Sequence, residues 1–361
     1  MILAKRTIFI NGRYLTQPLS GVQRYAEEIV RALDARVGAG EASADYRLLC
    51  PPGARNAGLA HISQEEIGRR GGHLWDQIDF ARAARKGVAL CLASVGPVAL
   101  SRQVVVIHDA AVQRHPEHFS RFYGAVHKTI DFVLARRARV ATVSDFSQRE
   151  LAEVLGIPAA RIIVAKNGAE HLQITPDADV VDRLGLSGVP FFLVLGNITR
   201  NKNLAVAIRA LALLQPSPIR LVAVGRLDPS VFGTGFLPPI GEGLVLPGRL
   251  DDAEVAGLMR DARALIFPSL YEGFGIPPLE AMANDCPVLA STAEAVVETC
   301  GDAAEFFAPH DEAALAKLMQ RASSDAGWRA ARIAAGRARL ALFSWRASAD
   351  TLAQEVEALA R

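Results

Sequence analysis

The 361-residue sequence has few residues that could form disulfide bonds or hold a metal ion through thiolates. Its four cysteines, Cys50, Cys91, Cys286 and Cys300, are scattered along the chain with no paired spacing. Such a distribution favours reduced, mostly buried thiols over a disulfide framework or a zinc site.

The sequence also lacks an excess of charge of one sign. It has 40 Lys and Arg residues against 38 Asp and Glu residues, a formal net charge of +2. This near balance gives no support to nucleic-acid binding. With 50% hydrophobic and 22% charged residues, the composition is that of an ordinary globular protein rather than a disordered one.

Long hydrophobic runs are absent as well. The first apolar run is interrupted by Lys5 and Arg6, and no apolar span reaches the roughly 18 residues of a membrane helix. We therefore expect a cytoplasmic protein. The basic cluster Arg136, Arg137 and Arg139 leaves open a weak peripheral contact with anionic lipid at the inner face of the membrane, although a solvated helix end is the stronger interpretation.

What the sequence does contain is a regular alternation of short apolar runs and amphipathic segments. The apolar runs predict twelve strands, at 7–11, 46–50, 88–93, 103–108, 139–144, 161–167, 191–197, 219–225, 243–248, 264–269, 286–291 and 303–309. Segments between them predict helices, for instance at 22–37, 122–138, 203–214 and 251–262. Two successive strand–helix series indicate two doubly wound α/β domains.

The polar stretch 175–188 is the natural join between these domains. We therefore predict an N-terminal domain over 1–174, a linker over 175–188 and a C-terminal domain over 189–344. The tail, 345–361, has a helical pattern, and we expect it to pack back on the first domain. In doubly wound sheets ligands bind at the carboxyl ends of the strands, so we expect a site in a cleft between the domains.

One segment, PSLYEGFGIPPLEAMA at 268–283, has the features of an anion site. It follows an apolar strand; Gly273 and Gly275 permit a sharp turn, and two prolines suit the first turn of a helix. A glycine turn followed by a helix N-terminus suits a phosphate. Glu272 and Glu280 would repel that phosphate, so the simplest reason for them is that they hold hydroxyl groups. That combination indicates a phosphorylated sugar compound.

The same segment resembles glycosyltransferase family 4, retaining enzymes of the GT-B fold that use nucleotide-activated sugars, and its mannosyltransferase-like members. Residues 272–281, EGFGIPPLEA, follow the family pattern of two glutamates separated by seven residues. Further segments that follow the family pattern are SGVQRYAEEIVRAL (20–33), AKNGAEH (165–171), GNITRNKNL (196–204), PGRLDDAEVAGLMRDARALIFPS (247–269) and CPVLAS (286–291). The resemblance implies a GT-B protein with two Rossmann-like doubly wound domains facing a cleft.

The resemblance also implies roles for individual residues. Glu280 would hold the ribose of the nucleotide and Glu272 the donor sugar, while Lys202 would neutralise the diphosphate leaving group. Backbone amides would come from Gly273, Phe274 and Gly275. The other residues that it places at the donor are Gly21, Asn197, Arg200, Leu250 and Ile276, where Arg200 would replace a second cation that relatives carry at the position of Asn197.

In the first domain the resemblance implies that His108 meets the reacting sugar. A histidine at a strand end is also a plausible general base, or is satisfied within its loop; we expect it to bind the donor sugar rather than carry a proton. Asn11 ends one predicted strand of the same domain and Asp109 follows another, and we place them on the acceptor side.

We predict no metal cofactor. Asp177-Ala178-Asp179 has the pattern by which another class of glycosyltransferases holds a metal ion, but it lies in the predicted linker and not after a strand.

The expected function is transfer of a hexose, with mannose from GDP-mannose as the best guess, to a glycan or lipid-linked acceptor in surface polysaccharide synthesis. A nucleotide-sugar epimerase of the same fold and an inactive nucleotide-sugar-binding protein remain alternatives. A nicotinamide dehydrogenase does not fit, because no Gly-x-Gly-x-x-Gly follows a first strand.

Overall fold

The computed structural model describes residues 7–197, 199–226 and 243–361, and in it the chain forms two compact units. Unit 1 contains the chain up to Asn167 together with Trp345–Arg361, and unit 2 contains Gly168–Ser344. Each unit is built on one parallel β-sheet whose strands are connected largely by helices.

Within the described residues, the sheet of unit 1 has seven parallel strands in the order β3-β2-β1-β4-β5-β6-β7. Their bounds are β1 Thr7–Asn11, β2 Asp45–Cys50, β3 Ser63–Glu66, β4 Val88–Cys91, β5 Gln103–Val106, β6 Arg139–Thr142 and β7 Ile162–Val164. The strand that the apolar pattern did not predict is β3. Its sequence, SQEE, has no apolar residue, because β3 lies at the sheet edge and is held by its backbone pairing with β2.

The helices of unit 1 before its last strand are α1 Gly21–Gly38, α2 Gly72–Leu74, α3 Ala81–Ala84, α4 Ala111–Arg114, α5 Arg121–Arg137 and α6 Asp145–Leu155. A π-helical turn, Trp75–Phe80, joins α2 to α3. Trp75 and Phe80 are fully buried, with ring centroids 5.4 Å apart, in the core of this unit.

In the part of unit 2 that the structure describes, the sheet has six parallel strands in the order β10-β9-β8-β11-β12-β13. The strands are β8 Phe191–Leu195, β9 Arg220–Val224, β10 Leu244–Gly248, β11 Leu265–Phe267, β12 Val288–Ser291 and β13 Ala304–Phe307. The helices described in this unit are α7 Val180–Arg183, α8 Leu204–Leu213, α9 Asp252–Asp261, α10 Ile276–Ala283, α11 Glu294–Cys300, α12 Glu312–Ser324 and α13 Ala326–Leu340.

The last helix, α14 Trp345–Ala360, belongs to unit 1 and packs against α1. Arg36 of α1 forms an ion pair with Asp350 at 2.7 Å, and the Tyr46 hydroxyl donates to Glu357 at 2.9 Å. Polar and ionic contacts therefore reinforce the attachment of this helix.

The polar stretch 175–188 is not a free linker. The Asp177 amide donates to the Ala253 carbonyl at 2.9 Å, and Val180 in α7 is fully buried. Arg183 forms ion pairs with Asp177 and with Glu254 of α9, both shorter than 3 Å. Composition suggested a join, but these contacts make the stretch part of unit 2, and unit 1 ends seven residues earlier than predicted, at Asn167 rather than at residue 174.

In each sheet the strand order reverses beside the strand that comes first in the chain. That strand is β1 in unit 1, which lies between β2 and β4, and β8 in unit 2, which lies between β9 and β11. At such a switch point the connections leave in opposite directions, so a crevice opens at the carboxyl ends of the strands. Each unit therefore has one preferred place for a ligand.

Candidate active site

At the carboxyl end of β8 the backbone of one loop touches that of the next. Gly225, which follows β9, has a φ of +145°, and a Cβ there would lie 2.1 Å from the carbonyl oxygen of Gly196. A side chain cannot be accommodated at that distance. Gly225 therefore permits the close approach of the loops after β8 and β9.

The loop after β8 is also tied to the loop after β11, across the switch point. The Asn201 side chain donates to the Tyr271 carbonyl at 2.7 Å, and the Leu270 amide donates back to the Asn201 carbonyl at 2.9 Å. Asn203, with a φ of +49°, donates to the Pro309 carbonyl at 2.6 Å. Asparagine suits this left-handed conformation better than most residues. These two asparagines, to which the sequence analysis assigned no role, fix the short 3₁₀ turn Arg200–Lys202, of which Asn201 is the middle residue and Asn203 the cap.

The consequence of this bracing is that Lys202 meets Glu272. The Lys202 ammonium forms an ion pair with the Glu272 carboxylate, so the cation and the anion predicted for the donor lie together at the switch point of unit 2. Both side chains are partly buried, which weakens the screening of their charges by solvent.

The glycine turn after Glu272 leads directly into α10. Gly275 has a φ of +97° and caps the helix, and Pro277 and Pro278 lie in its first turn. The Phe274 ring is buried against Phe343, while its carbonyl accepts from the Thr299 hydroxyl at 2.8 Å. The turn is therefore anchored on both sides, and α10 starts at a fixed point with its free N–H groups at that end.

Glu280 is the fifth residue of α10, just beyond the first turn near which the sequence placed it. One of its carboxylate oxygens lies 2.8 Å from Nε2 of His171, whose side chain is only 2% exposed. His171 is part of the segment AKNGAEH, but no sequence signal pairs it with a residue 109 positions away. The imidazole orients the carboxylate, and the second carboxylate oxygen is not needed for this contact.

The other predicted donor residues of unit 2 lie after strands β8 and β10 and at the start of α10. Asn197 and Arg200 are exposed at the end of β8; Leu250 lies between β10 and α9, and Ile276 opens α10. The structure thus brings together Lys202 and Glu272, and separately pairs Glu280 with His171.

In unit 1, His108 is buried two residues after β5. Its Nε2 lies 2.9 Å from the Leu92 carbonyl, and its ring packs edge-on against Tyr25 with centroids 4.9 Å apart. Because a carbonyl oxygen only accepts, Nε2 carries the proton and Nδ1 of the neutral ring is left as an acceptor. Burial lowers the pKa of His108 to about 4, so at neutral pH the ring has no second proton to give.

Asn11, at the end of β1, belongs to a buried network. Its side-chain amide donates to Asp76 at 2.9 Å, and its side-chain oxygen accepts from the Arg13 amide at 3.0 Å. Arg13 also forms an ion pair with Asp76 at 2.7 Å. Asp109 accepts a hydrogen bond from the Ala111 amide at 2.8 Å, and Gly21 is the exposed first residue of α1.

One side-chain group in the described ranges has the geometry of a metal site. His115, Glu117 and His118 lie on an exposed turn in unit 1, with ligand atoms within 4.8 Å of one another. The sequence analysis did not single out these residues; a Pro-Glu turn brings the two histidine rings together. The Asp-x-Asp of unit 2 does not resemble a metal site, because Asp177 is bound to Arg183.

The basic cluster of unit 1 is largely engaged with the protein. Arg139 forms an ion pair with Glu355 at 2.5 Å, and the Arg136 guanidinium lies 3.3 Å from the centroid of the Phe132 ring. These partners favour a solvated helix end over a lipid contact. Within the described residues, no helix has both the length and the apolar character needed to span a bilayer.

The four cysteines are free and buried, as the sequence predicted. Burial raises the pKa of Cys50, Cys286 and Cys300 to about 12, so their thiols stay protonated and unreactive at neutral pH.

The chain resembles known proteins in both sequence and structure. Residues 182–339 match the family model described as glycosyl transferases group 1. The O-antigen chain mannosyltransferase B of Escherichia coli is 28% identical over 263 residues, which cover 69% of this chain and 68% of that protein. The serotype-specific mannosyltransferase WbdA of Escherichia coli is 27% identical over 272 residues, and the match covers 68% of this chain but only 32% of WbdA.

Among solved structures, Anabaena HepE in complex with UDP and glucose has a TM-score of 0.75 to this chain at 19% identity, over 98% of this chain and 100% of that one. Likeness at this identity establishes the fold. It confirms the predicted fold class, GT-B with two Rossmann-like doubly wound α/β domains.

Proposed function

We propose that the chain transfers a hexose from a nucleotide-diphosphate sugar to a glycan or lipid-linked acceptor. The premise is that it is a glycosyltransferase whose residues 182–339 belong to the glycosyl transferases group 1 family. Mannose from GDP-mannose is the first candidate, because the Escherichia coli relatives are named as mannosyltransferases. One of them is named for the O-antigen chain, which supports a role in surface polysaccharide synthesis.

The observation that carries this proposal is the Lys202–Glu272 ion pair at the switch point of unit 2. Sugar transfer from a diphosphate needs a cation beside the leaving group and, within a few ångströms of it, a side chain that accepts hydrogen bonds from the sugar hydroxyls. These two side chains supply both. Their loops are braced to one another by Asn201 and Asn203, so the pair is preorganised.

The nucleotide would lie along the start of α10. Phosphate oxygens would meet the helix N-terminus and the amides of Gly273–Gly275, where the helix dipole favours negative charge. Glu280 would accept hydrogen bonds from the ribose hydroxyls while His171 holds its other oxygen. Asn197, Leu250 and Ile276 would line the remainder of the donor site, and Arg200 would give it a second cation.

We further propose that transfer retains the anomeric configuration. In the proposed site Glu272, beside Lys202, holds the sugar and Glu280, beside His171, holds the ribose, so neither carboxylate has the role of nucleophile or acid–base. The bond between the anomeric carbon and the phosphate oxygen would break as the acceptor oxygen bonds to the same face. The proton of the acceptor hydroxyl would pass to the departing phosphate oxygen. His108, neutral at pH 7, would accept a hydrogen bond from the donor sugar without taking its proton.

Fixed charge can replace a metal ion in this step, because Lys202, the α10 N-terminus and the turn amides together neutralise the diphosphate. A thermal-shift screen of nucleotide sugars would first identify the donor, since a ligand at 100 times its dissociation constant adds about 2.7 kcal/mol of stability. With that donor we expect full transferase activity in excess chelator and a product with the anomeric configuration of the donor, read from its proton coupling by NMR.

Three outcomes would contradict parts of this proposal. Activity lost in chelator and restored by magnesium or manganese would refute neutralisation by the protein alone. An inverted product would refute attack from the leaving-group face. Conversion of the donor alone into another nucleotide sugar would identify an epimerase, and donor binding without turnover across an acceptor panel would identify an inactive binding protein.

A further inference from the structure

A second candidate site lies in unit 1, where aromatic rings form a continuous stack along α5. Phe119 stacks on Tyr123 with centroids 5.5 Å apart, and Tyr123 stacks on His127 at 4.1 Å. The His73 ring then meets His127 edge-on at 5.3 Å. Phe119, Tyr123 and His127 follow one another at intervals of four residues, which places them on one face of α5 and of the residues just before it. We call these four residues the aromatic column.

Polar side chains line the buried side of this column. His127 is 7% exposed, and among the residues of the described ranges no group forms a hydrogen bond with its Nε2. Gln113 donates through its amide nitrogen to Asp131 at 2.8 Å, but its buried side-chain oxygen likewise has no hydrogen-bond partner within those ranges. We call Gln113, His127 and Asp131 the polar floor.

The polar floor occupies positions where a helix normally places apolar residues. His127 and Asp131 are buried on the same face of α5, four residues apart, and burial raises the pKa of Asp131 to about 6. Each buried polar group left without a hydrogen bond destabilises the fold. Packing does not offset this destabilisation, so the arrangement indicates a ligand that completes the hydrogen bonds.

The column also lies at the ligand-binding edge of the sheet of unit 1. Nδ1 of His73 is 3.5 Å from Asp76, which in turn holds Asn11 at the end of β1, the strand at the switch point. Gln113 lies on α4, four residues after Asp109, in the connection that follows β5. These are the strand ends to which the acceptor side was assigned from the sequence.

We propose that the aromatic column and the polar floor form a sugar-binding subsite for the acceptor glycan, an inference that rests on the proposed function. A sugar ring has apolar C–H faces that pack on aromatic rings and hydroxyls that both donate and accept hydrogen bonds. The half-exposed Tyr123 ring offers the face. The imidazole, amide oxygen and carboxylate of the floor offer acceptors of the kind that sugar hydroxyls need.

The test measures sugar binding and nucleotide binding separately on the full chain. The sugars are methyl α-mannoside, α-1,2- and α-1,3-mannobiose, methyl α-glucoside, methyl β-galactoside and N-acetylglucosamine, titrated by saturation-transfer NMR without donor. Tyr123→Leu removes the stacking face and keeps apolar volume. His127→Phe keeps a ring in the column and removes Nε2. Phe132→Leu is the matched control, an exposed aromatic residue of the same helix outside the column.

We expect at least one of these sugars to bind the wild type and its affinity to fall about tenfold in Tyr123→Leu and in His127→Phe. The control should bind that sugar as the wild type does, and all three variants should bind nucleoside diphosphate normally. Unchanged sugar affinity in both column variants would overturn the subsite, as would an equal loss in the control. Nucleoside diphosphate binding without binding of any sugar in the panel would also overturn it and leave the proposed function standing. Failure to bind any nucleoside diphosphate would instead count against the proposed function.

Discussion

Removing the Glu272 carboxylate should separate sugar transfer from nucleotide binding. In the proposed site Lys202 serves the diphosphate, yet in the structure its ammonium is bound to Glu272. A bare nucleoside diphosphate must therefore compete with that carboxylate for the same cation. Glu272→Gln keeps the shape of the side chain and removes the competing charge, so it should leave Lys202 more available to phosphate.

The size of this effect follows from the exposure of the pair. The Lys202 side chain is 25% exposed and the Glu272 side chain 14%, so the pair lies between a surface ion pair and a buried one. An exposed pair contributes up to about 1 kcal/mol, and a hydrogen bond to a charged group about 1.5–3 kcal/mol. Taking about 1 kcal/mol as the competition removed, the dissociation constant of nucleoside diphosphate should fall about fivefold. Turnover should fall about 10²–10³-fold, because the sugar loses its charged contact.

Isothermal titration with nucleoside diphosphate, followed by a transferase assay, measures both quantities. Glu280→Gln is the comparison, because a ribose contact is made whether or not a sugar is attached. That variant should bind the bare nucleotide more weakly than the wild type. Equal losses of nucleotide affinity in the two variants would refute the division of roles, and a weakened Glu272→Gln complex would show that Lys202 does not face the diphosphate.

Two further results are expected. Lys202→Ala should lower turnover about 10²–10³-fold and Lys202→Arg less, with a loss also in Arg200→Ala if Arg200 is the second cation; wild-type rates in both alanine variants would mean that the phosphate lies elsewhere. For His108, the folded-state pKa of about 4 is below the ordinary value of 6.5, so the unfolded chain takes up the proton first and stability falls as the pH drops below 6.5. Denaturant unfolding at pH 7 and pH 5 should show the wild type losing about 2 kcal/mol more than His108→Gln, and parallel losses would contradict the buried neutral ring.

Local chemistry was enough to predict most elements of the fold. The apolar runs that predict strands correspond to β1, β2 and β4–β13, and Asp251 and Glu254 form the capping box that their spacing predicts at the start of α9. Each of these signals lies within a few residues of chain. The strand that the pattern missed, Ser63–Glu66, owes its conformation to a neighbour and not to its own side chains.

Such local signals could not predict contacts between residues far apart in the chain. His171 and Glu280 are 109 positions apart, and Asn201 is 70 positions from Tyr271. The sequence contained each residue inside a family-like segment, yet nothing in either segment says which residue of the other it will meet. The prediction of a linker at 175–188 meets the same limit, because the Asp177 amide and the Arg183 side chain contact α9, far along the chain.

The helix α5 shows a third kind of limit. Its pattern predicts an amphipathic helix over 122–138, and the structure has one at Arg121–Arg137. A helical period says which residues share a face, but it assumes that the buried face is apolar. Here that face carries His127 and Asp131, so the period is right and its usual reason, burial of apolar surface, fails for one stretch of the helix. Sequences violate such rules mainly where function requires it. The polar residues on the inner face of α5 are therefore better evidence for a site than any short motif in unit 1, and only the fold shows that they are inside.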